Sequence, residues 1–172
     1  MEWTGARYAD KPTVEASTWI DADPARVWGL VSDIELMPTL SNELQAVEWV
    51  GGAGRPRVGA QFVGHNSHDA FGVWSTTSQI VACDEAREFA WAVGDPEYPS
   101  ATWRFRLTPR DGGTTLRYWM RMGPGRSGLS SAIDSMPDKE EKIVFVRLRE
   151  FEANMGTTLA TIKGLAEGTA GA

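Results

Sequence analysis

The sequence is poor in cysteine and histidine. Its 172 residues include one cysteine, Cys83, and two histidines, His65 and His68. A single cysteine excludes an intramolecular disulfide, and nothing in this usage indicates an oxidising compartment. The histidines are three residues apart in a strand-like segment, where their side chains point to opposite faces and cannot share one metal ion. We therefore expect no metal site and no other cofactor.

Long apolar runs and an excess of positive charge are also missing. The apolar stretches are a few residues long, well short of the roughly 20 needed to cross a bilayer, so no integral membrane segment is expected. The start of the chain lacks the basic segment and apolar run of a secretory signal, which favours the cytoplasm. With 17 Lys and Arg against 23 Asp and Glu, the net charge is −6, which disfavours nucleic acid as a partner. A small molecule fits better, and both a monomer and a homodimer remain open.

Strand-like alternation of apolar and polar residues extends from Leu44 to Met122. Short turns such as PRDGG separate the strands, so consecutive strands are expected to pair antiparallel. One more strand precedes this block. The predicted strands are Val14 to Ile20, Leu44 to Val50, Ala60 to His68, Val73 to Cys83, Glu88 to Val93, Ala101 to Thr108 and Thr114 to Met122.

Helical patterns occur twice. After the first strand, Asp23 and Pro24 are typical of a helix start, and Pro38 interrupts the next apolar run, so two short helices are expected. From Asp138 to Glu167, apolar residues recur every three or four positions, which predicts a helix of about 45 Å with Glu, Lys and Arg on the opposite face. The stretch GPGRSGLSSAIDSM before it is predicted to be a mobile lid with one helical turn.

The domain boundaries follow from these patterns. Residues 1–12 are polar and aperiodic and are expected to form a flexible N-terminal tail. Residues 13–167 are expected to form one domain, and residues 168–172 a flexible C-terminal tail.

The order strand, two short helices, six-strand meander and long helix resembles the helix-grip fold of the START-like (SRPBCC) superfamily, which includes birch-pollen-type allergens. The stretches ADPARVWGLVSDIELMPTL, VWSTTSQIVACDEAREFAWAVG and TWRFRLTPRDGGTTL are most similar to its polyketide cyclase/dehydrase branch. This resemblance implies an α+β fold in which a curved antiparallel seven-stranded sheet surrounds a long C-terminal helix, with two short helices after the first strand. It also implies an internal cavity for a small hydrophobic molecule, but no shared catalytic signature.

Strand parity predicts which side chains face this cavity. Inward-facing aromatic residues are also typical of a packed core. The family resemblance is the reason for predicting a cavity here. Asn66 is more informative, since an unpartnered amide in an apolar interior costs roughly 1–3 kcal/mol; contact with a ligand and a bond to a neighbouring strand or water are both open. The predicted ligand-binding residues are Phe62, Asn66, Trp74, Thr76, Ser78, Trp91, Trp103, Phe105, Tyr118, Met120, Phe151 and Met155.

Two functions of different classes fit this pattern. The first is binding or carriage of a small hydrophobic metabolite, lipid-like or polyketide-like. The second is a cofactor-free cyclase or dehydratase in which Tyr118, Asn66 or a histidine polarises a carbonyl and moves a proton. Binding is preferred, because a tyrosine with its ordinary pKa of about 10 needs help from neighbours, and no catalytic residue is assigned.

A third interpretation is a protein-interaction module. It depends on an exposed Trp119 beside a row of arginines on the outer face of the sheet, and it ranks last because single exposed apolar residues are common. The arginine row consists of Arg104, Arg106, Arg117 and Arg121.

Overall fold

A computed structural model describes residues 1–168 of the chain, so the predicted C-terminal tail lies outside the described residues except for its first residue. The strands are β1 (Thr13–Ile20), β2 (Leu44–Trp49), β3 (Gln61–His68), β4 (Gly72–Asp84), β5 (Glu88–Val93), β6 (Ala101–Arg110) and β7 (Gly113–Met122). They form a seven-stranded antiparallel sheet in the order β1-β7-β6-β5-β4-β3-β2. Every predicted strand is present, with ends shifted by two residues at most.

The helices complete the predicted architecture. They are α1 (Pro24–Val31), α2 (Met37–Leu40), α3 (Gly128–Ser135) and α4 (Glu140–Ala166). Asp23 caps α1 by accepting a hydrogen bond from the Arg26 backbone N–H at 2.9 Å. The 27 residues of α4 extend about 40 Å across the concave side of the sheet. This is the helix-grip fold that the sequence predicts.

None of the helices within residues 1–168 combines the length and the apolar composition that a membrane span requires.

The core consists of two hydrophobic clusters along α4. One includes Leu159 and Ile162 of the helix and extends to α1 and α2, while the other includes Val144 and Leu148 and extends to β1 and β7. The partly buried side chains of Trp103 and Tyr118 pack against both clusters. A space remains between the sheet and α4 where the two clusters meet.

Residues 1–12, which were expected to form a flexible tail, contact the rest of the domain at two aromatic residues. The Tyr8 hydroxyl donates a 2.7 Å hydrogen bond to the Gly125 carbonyl. The Trp3 ring meets the Phe145 ring of α4 edge to face, with centroids 5.0 Å apart. These contacts could not be predicted from the sequence, because an isolated aromatic residue produces no periodic pattern.

The predicted mobile lid before α4 is also different. It contains α3, a helix of eight residues and about two turns, instead of one turn. The backbone N–H of Ser127 donates to Ser130 Oγ at 3.0 Å, and Leu129 is buried. Gly125 precedes this helix where a Cβ atom would lie 2.3 Å from the Tyr98 carbonyl oxygen, so the segment is packed closely against the loop before β6.

The outer face of the sheet carries the predicted arginine row, but Trp119 is half-buried and not exposed. The Arg104 guanidinium covers its ring, with Cζ 4.9 Å from the ring centroid. Glu88 forms ion pairs with Arg104 at 3.3 Å and Arg106 at 3.0 Å. The interaction-module interpretation therefore loses the exposed aromatic residue on which it depended.

Candidate functional site

Two adjoining cavities lie between the sheet and α4. The small chamber has a volume of about 140 Å³ and the large chamber a volume of about 530 Å³. Both are lined by Glu43, Asn66, Thr76, Val93, Trp103 and Phe151. Since six residues border both spaces, the two chambers are neighbours separated by at most one layer of side chains.

Aromatic side chains form the walls of the small chamber because the inward positions of β5, β6 and β7 carry them. The rings of Trp91 and Trp103 are nearly parallel, with centroids 6.3 Å apart. The rings of Phe105 and Tyr118 stack at 4.1 Å, and Phe151 meets Trp103 edge to face at 5.2 Å. Such walls suit a flat apolar ligand.

Polar side chains interrupt these walls, and four of them have unused hydrogen-bonding capacity. Within residues 1–168, no hydrogen bond is made by the side-chain hydroxyls of Thr76, Ser78 and Tyr118, all of which line the small chamber. Asn66 is partly satisfied, because its Nδ2 donates to the Gly64 carbonyl at 3.3 Å while its Oδ1 has no partner among these residues. Buried polar groups are usually paired, so this unused capacity marks a place for a ligand or water.

Tyr118 carries the one phenolic hydroxyl among these four groups. Burial raises the pKa of its hydroxyl far above the ordinary tyrosine value. The hydroxyl therefore stays protonated at physiological pH and can donate a hydrogen bond, but it is a poor source of a transferable proton.

A charged network borders the large chamber. Arg147 of α4 is 8% exposed, and its Nη1 and Nη2 donate to the two Glu43 carboxylate oxygens at 2.6 and 2.7 Å. Nη1 also donates to Glu150 Oε2 at 2.9 Å. Burial alone would lower the pKa of Arg147, but the bonds to Glu43 and Glu150 outweigh it and raise the pKa. The guanidinium is therefore charged and held in a fixed orientation.

Glu43, His68 and Glu150 bring three potential metal-ligand atoms within 4.8 Å of one another. The sequence argument against a metal considered histidine and cysteine ligands but no carboxylates, and it missed this group. Arg147 bridges the two carboxylates, which places a positive charge where a cation would bind. The His68 Nδ1 accepts a hydrogen bond from the Ala70 N–H at 3.0 Å, so Nε2 carries the proton of the neutral ring and offers no lone pair. We assign no metal to the group.

All twelve residues predicted to bind a ligand line at least one chamber. Only the small chamber is lined by Phe62, Ser78, Trp91, Phe105, Tyr118 and Met155. Only the large chamber is lined by Trp74 and Met120, while Asn66, Thr76, Trp103 and Phe151 line both. Their contact with a ligand remains a prediction.

The prediction missed the charged residues. Arg147 was placed with the other charged residues on the solvent side of the long helix, and this was wrong. It follows Val144 by three positions and precedes Phe151 by four, which puts it on the buried face. That spacing was the available signal, but nothing near Arg147 in the sequence indicates Glu43, which lies 104 positions earlier.

Comparison with known proteins places the chain in a family. Residues 11–139 match the family model described as polyketide cyclase / dehydrase and lipid transport. No curated protein sequence matches the chain.

Several solved structures are similar. A Polyketide_cyc-like protein from Corynebacterium glutamicum is 28% identical, with 91% of this chain and 92% of that chain covered and a TM-score of 0.64. The ZhuI aromatase/cyclase from Streptomyces sp. R1128 is 16% identical, with 94% and 99% covered and a TM-score of 0.67. Ara h 8.0201 is 18% identical, with 88% and 97% covered and a TM-score of 0.55. The last two likenesses show the fold alone. Because the family model covers more than half of the chain, the protein belongs to the polyketide cyclase/dehydrase and lipid transport family.

Proposed function

We propose that the protein binds and carries a small, mostly apolar metabolite, lipid-like or polyketide-like, in the two chambers, within the cytoplasm. The observation that carries this proposal concerns Tyr118, whose side chain lines the small chamber and whose hydroxyl has no hydrogen-bond partner within residues 1–168. In a packed core such a hydroxyl would be sealed without a partner, at a cost of about 1–3 kcal/mol, whereas the Tyr118 hydroxyl is not among the sealed atoms of the described residues. A ligand oxygen would supply the partner.

The chamber volumes support a ring-bearing or elongated ligand. An apolar cavity of about 150 Å³ in another protein holds one benzene molecule, and the small chamber is of that size, about 140 Å³. The large chamber, about 530 Å³, would hold the rest of the ligand. A ligand of this kind would place one ring between Trp91 and Tyr118 and extend past Trp103.

The expected affinity is modest. Burying ~400 Å² of apolar ligand surface gains roughly 10 kcal/mol. Subtracting at least ~4 kcal/mol for association leaves about 6 kcal/mol, a dissociation constant of tens of micromolar. Each hydrogen bond to Tyr118 or Asn66 would add about 0.5–1.5 kcal/mol. Apolar contacts would supply the affinity, and the polar groups would select among ligands.

Native mass spectrometry of the purified protein would test the proposal most directly, since a retained small molecule would appear as an added mass. Isothermal titration with naphthalene and 2-naphthol would test it with known probes. If neither probe binds and no molecule is retained, the chambers are not a ligand site.

Replacing Trp103 by alanine should weaken naphthalene and 2-naphthol alike, by about tenfold, because the indole lines both chambers. Asn66→Leu should weaken 2-naphthol only, since naphthalene makes no hydrogen bond with the amide. Trp3→Ala is the matched control, because Trp3 is 53% exposed and lies outside both chambers. Unchanged affinities in both site variants, with circular dichroism showing an intact fold, would mean that these side chains are only structural.

The raised pKa of Tyr118 predicts a pH dependence of stability. In the unfolded chain the hydroxyl ionises near pH 10, whereas in the folded chain it stays protonated. This contribution is fully present below pH ~10 and is lost as the pH rises further, at roughly 1.4 kcal/mol per pH unit. Between about pH 8 and about pH 11, urea denaturation should show a larger loss of stability for the wild type than for Tyr118→Phe. Equal losses would mean that Tyr118 is hydrated in the folded state.

A second candidate function is cofactor-free cyclisation or dehydration of a ligand in the same chambers. The family description favours it, and the neutral Tyr118 hydroxyl is suited to polarising a carbonyl by hydrogen bonding. Chromatography coupled to mass spectrometry separates the two candidates. Dehydration releases a product that is lighter by one water molecule, and cyclisation without dehydration gives an isomer of the same mass with a different retention time, whereas a carrier returns its ligand unchanged.

A further inference from the structure

Arg147 uses only part of its hydrogen-bonding capacity. A guanidinium has five N–H donors, two on each terminal nitrogen and one on Nε. Both donors of Nη1 are engaged, with Glu43 and Glu150, and one donor of Nη2 is engaged with Glu43. Within residues 1–168 the second Nη2 donor and the Nε donor have no recorded acceptor. These two donors point the same way and form a complete fork along one edge of the group.

The surroundings of Arg147 leave that edge open. The rings of Phe151 and Phe71 lie against the guanidinium, with Cζ 4.1 and 5.2 Å from their centroids. Among the described residues, the side-chain nitrogen atoms that are sealed from solvent and make no hydrogen bond are Arg104 Nε and Arg121 Nε. Arg147 Nε is not one of them, so it is accessible. Arg147 lines the large chamber and also a surface groove beside it, so the residue lies at the mouth of the chamber.

We propose that the Nε–Nη2 edge of Arg147 is a subsite for a carbonyl oxygen of the bound molecule. This proposal rests on the proposed function, namely that the chambers hold a ligand. It gives the ligand an orientation, with a ring in the small chamber, where the Tyr118 hydroxyl can bind a separate oxygen of the ligand, and a carbonyl group at the mouth of the large chamber. Carbonyl oxygen has two lone pairs and can accept both N–H groups of the fork.

The charges nearby select a neutral carbonyl over a carboxylate. Glu43 and Glu150 already place two negative charges on the one positive charge of Arg147. A ligand carboxylate on the open edge would add a third negative charge within a few ångströms in a partly desolvated site, where repulsion is stronger than in water. A ketone, ester or amide accepts the same two hydrogen bonds without this repulsion.

Two probes of the same shape test the subsite. 2-Acetylnaphthalene carries a carbonyl oxygen where 2-isopropenylnaphthalene carries a methylene group. Calorimetric titration of the wild-type protein should show the ketone binding about tenfold more tightly than the alkene, because the hydrogen-bond donor is charged. In Arg147→Lys, which keeps the positive charge beside Glu43 but removes the fork, this ratio should fall to less than about twofold.

Tyr118→Phe is the matched control, because the Tyr118 hydroxyl could also bind a ketone. The ratio should persist in Tyr118→Phe if Arg147 carries the preference. The carbonyl stretching frequency of bound 2-acetylnaphthalene supplies a second readout, which should be lowered in the wild type and return towards its free value in Arg147→Lys. A role of Arg147 in folding alone would not shift this frequency.

The outcomes separate the two proposals. If both probes bind the wild type equally, or if the ketone preference survives in Arg147→Lys and disappears in Tyr118→Phe, the subsite at Arg147 is wrong and the chambers remain a ligand site. If neither probe binds, the proposed function itself fails. Should Arg147→Lys not fold, the double variant Glu43→Gln with Arg147→Met replaces it, and a ketone preference that persists there overturns the subsite.

Discussion

Replacing Arg147 by methionine is expected to lower the free energy of unfolding by about 3–5 kcal/mol. The substitution leaves the Glu43 carboxylate, whose side chain is 15% exposed, without its two strong hydrogen bonds. Glu150 is less affected because it is 38% exposed and water can solvate it. Urea denaturation near neutral pH, followed by circular dichroism, measures the change.

Neutralising the unpaired Glu43 carboxylate should restore most of the lost free energy of unfolding. The double variant Glu43→Gln with Arg147→Met is expected to unfold within about 1–2 kcal/mol of the wild type, because a neutral amide costs far less to bury than a carboxylate. Arg149→Met is the matched control on the same helix, since Arg149 is exposed. If Arg147→Met is as stable as the wild type, Arg147 and Glu43 are hydrated in solution and not a buried pair.

Compared with well-packed apolar side chains in the same place, the intact ion pair between Arg147 and Glu43 adds little stability. Well-packed apolar side chains often replace a buried pair at no cost, because desolvation offsets the attraction between the charges. The pair at Arg147 nevertheless lies beside a chamber whose other walls are mainly aromatic. A role in orienting a ligand gives a reason for a charged group at this place, in agreement with the proposed carbonyl subsite.

The sheet and its inward faces were predictable because their signals are local. Successive side chains of a strand point to opposite faces of the sheet, so Trp103 and Phe105 share a face independently of the rest of the chain. The turn between β6 and β7 contains Asp111 and Gly112, which both adopt positive φ, as this kind of hairpin requires. Correct parity in successive strands places the predicted residues around a common space.

The charged part of the site was not predictable in the same way. Glu43 and Arg147 meet only because β2 lies at one edge of the sheet and α4 crosses its concave side. Local propensity does not contain such a contact, and a general rule that charged residues face solvent gave the wrong side for Arg147. The packing of Tyr8 against Gly125 was missed for the same reason, since its partners lie far away in the sequence.

Leu148→Ala is expected to lower the free energy of unfolding by about 2–5 kcal/mol. Leu148 is 4% exposed and belongs to the cluster that joins α4 to β1 and β7, so its removal leaves a cavity that the surrounding strands cannot fill. The same helix offers a matched control in Val146, which is 46% exposed. Val146→Ala should change stability by less than about 0.5 kcal/mol. Urea denaturation of the three proteins provides the comparison. Equal, small effects of both substitutions would show that α4 does not close the concave face of the sheet, and the chambers described between them would then have no wall on that side.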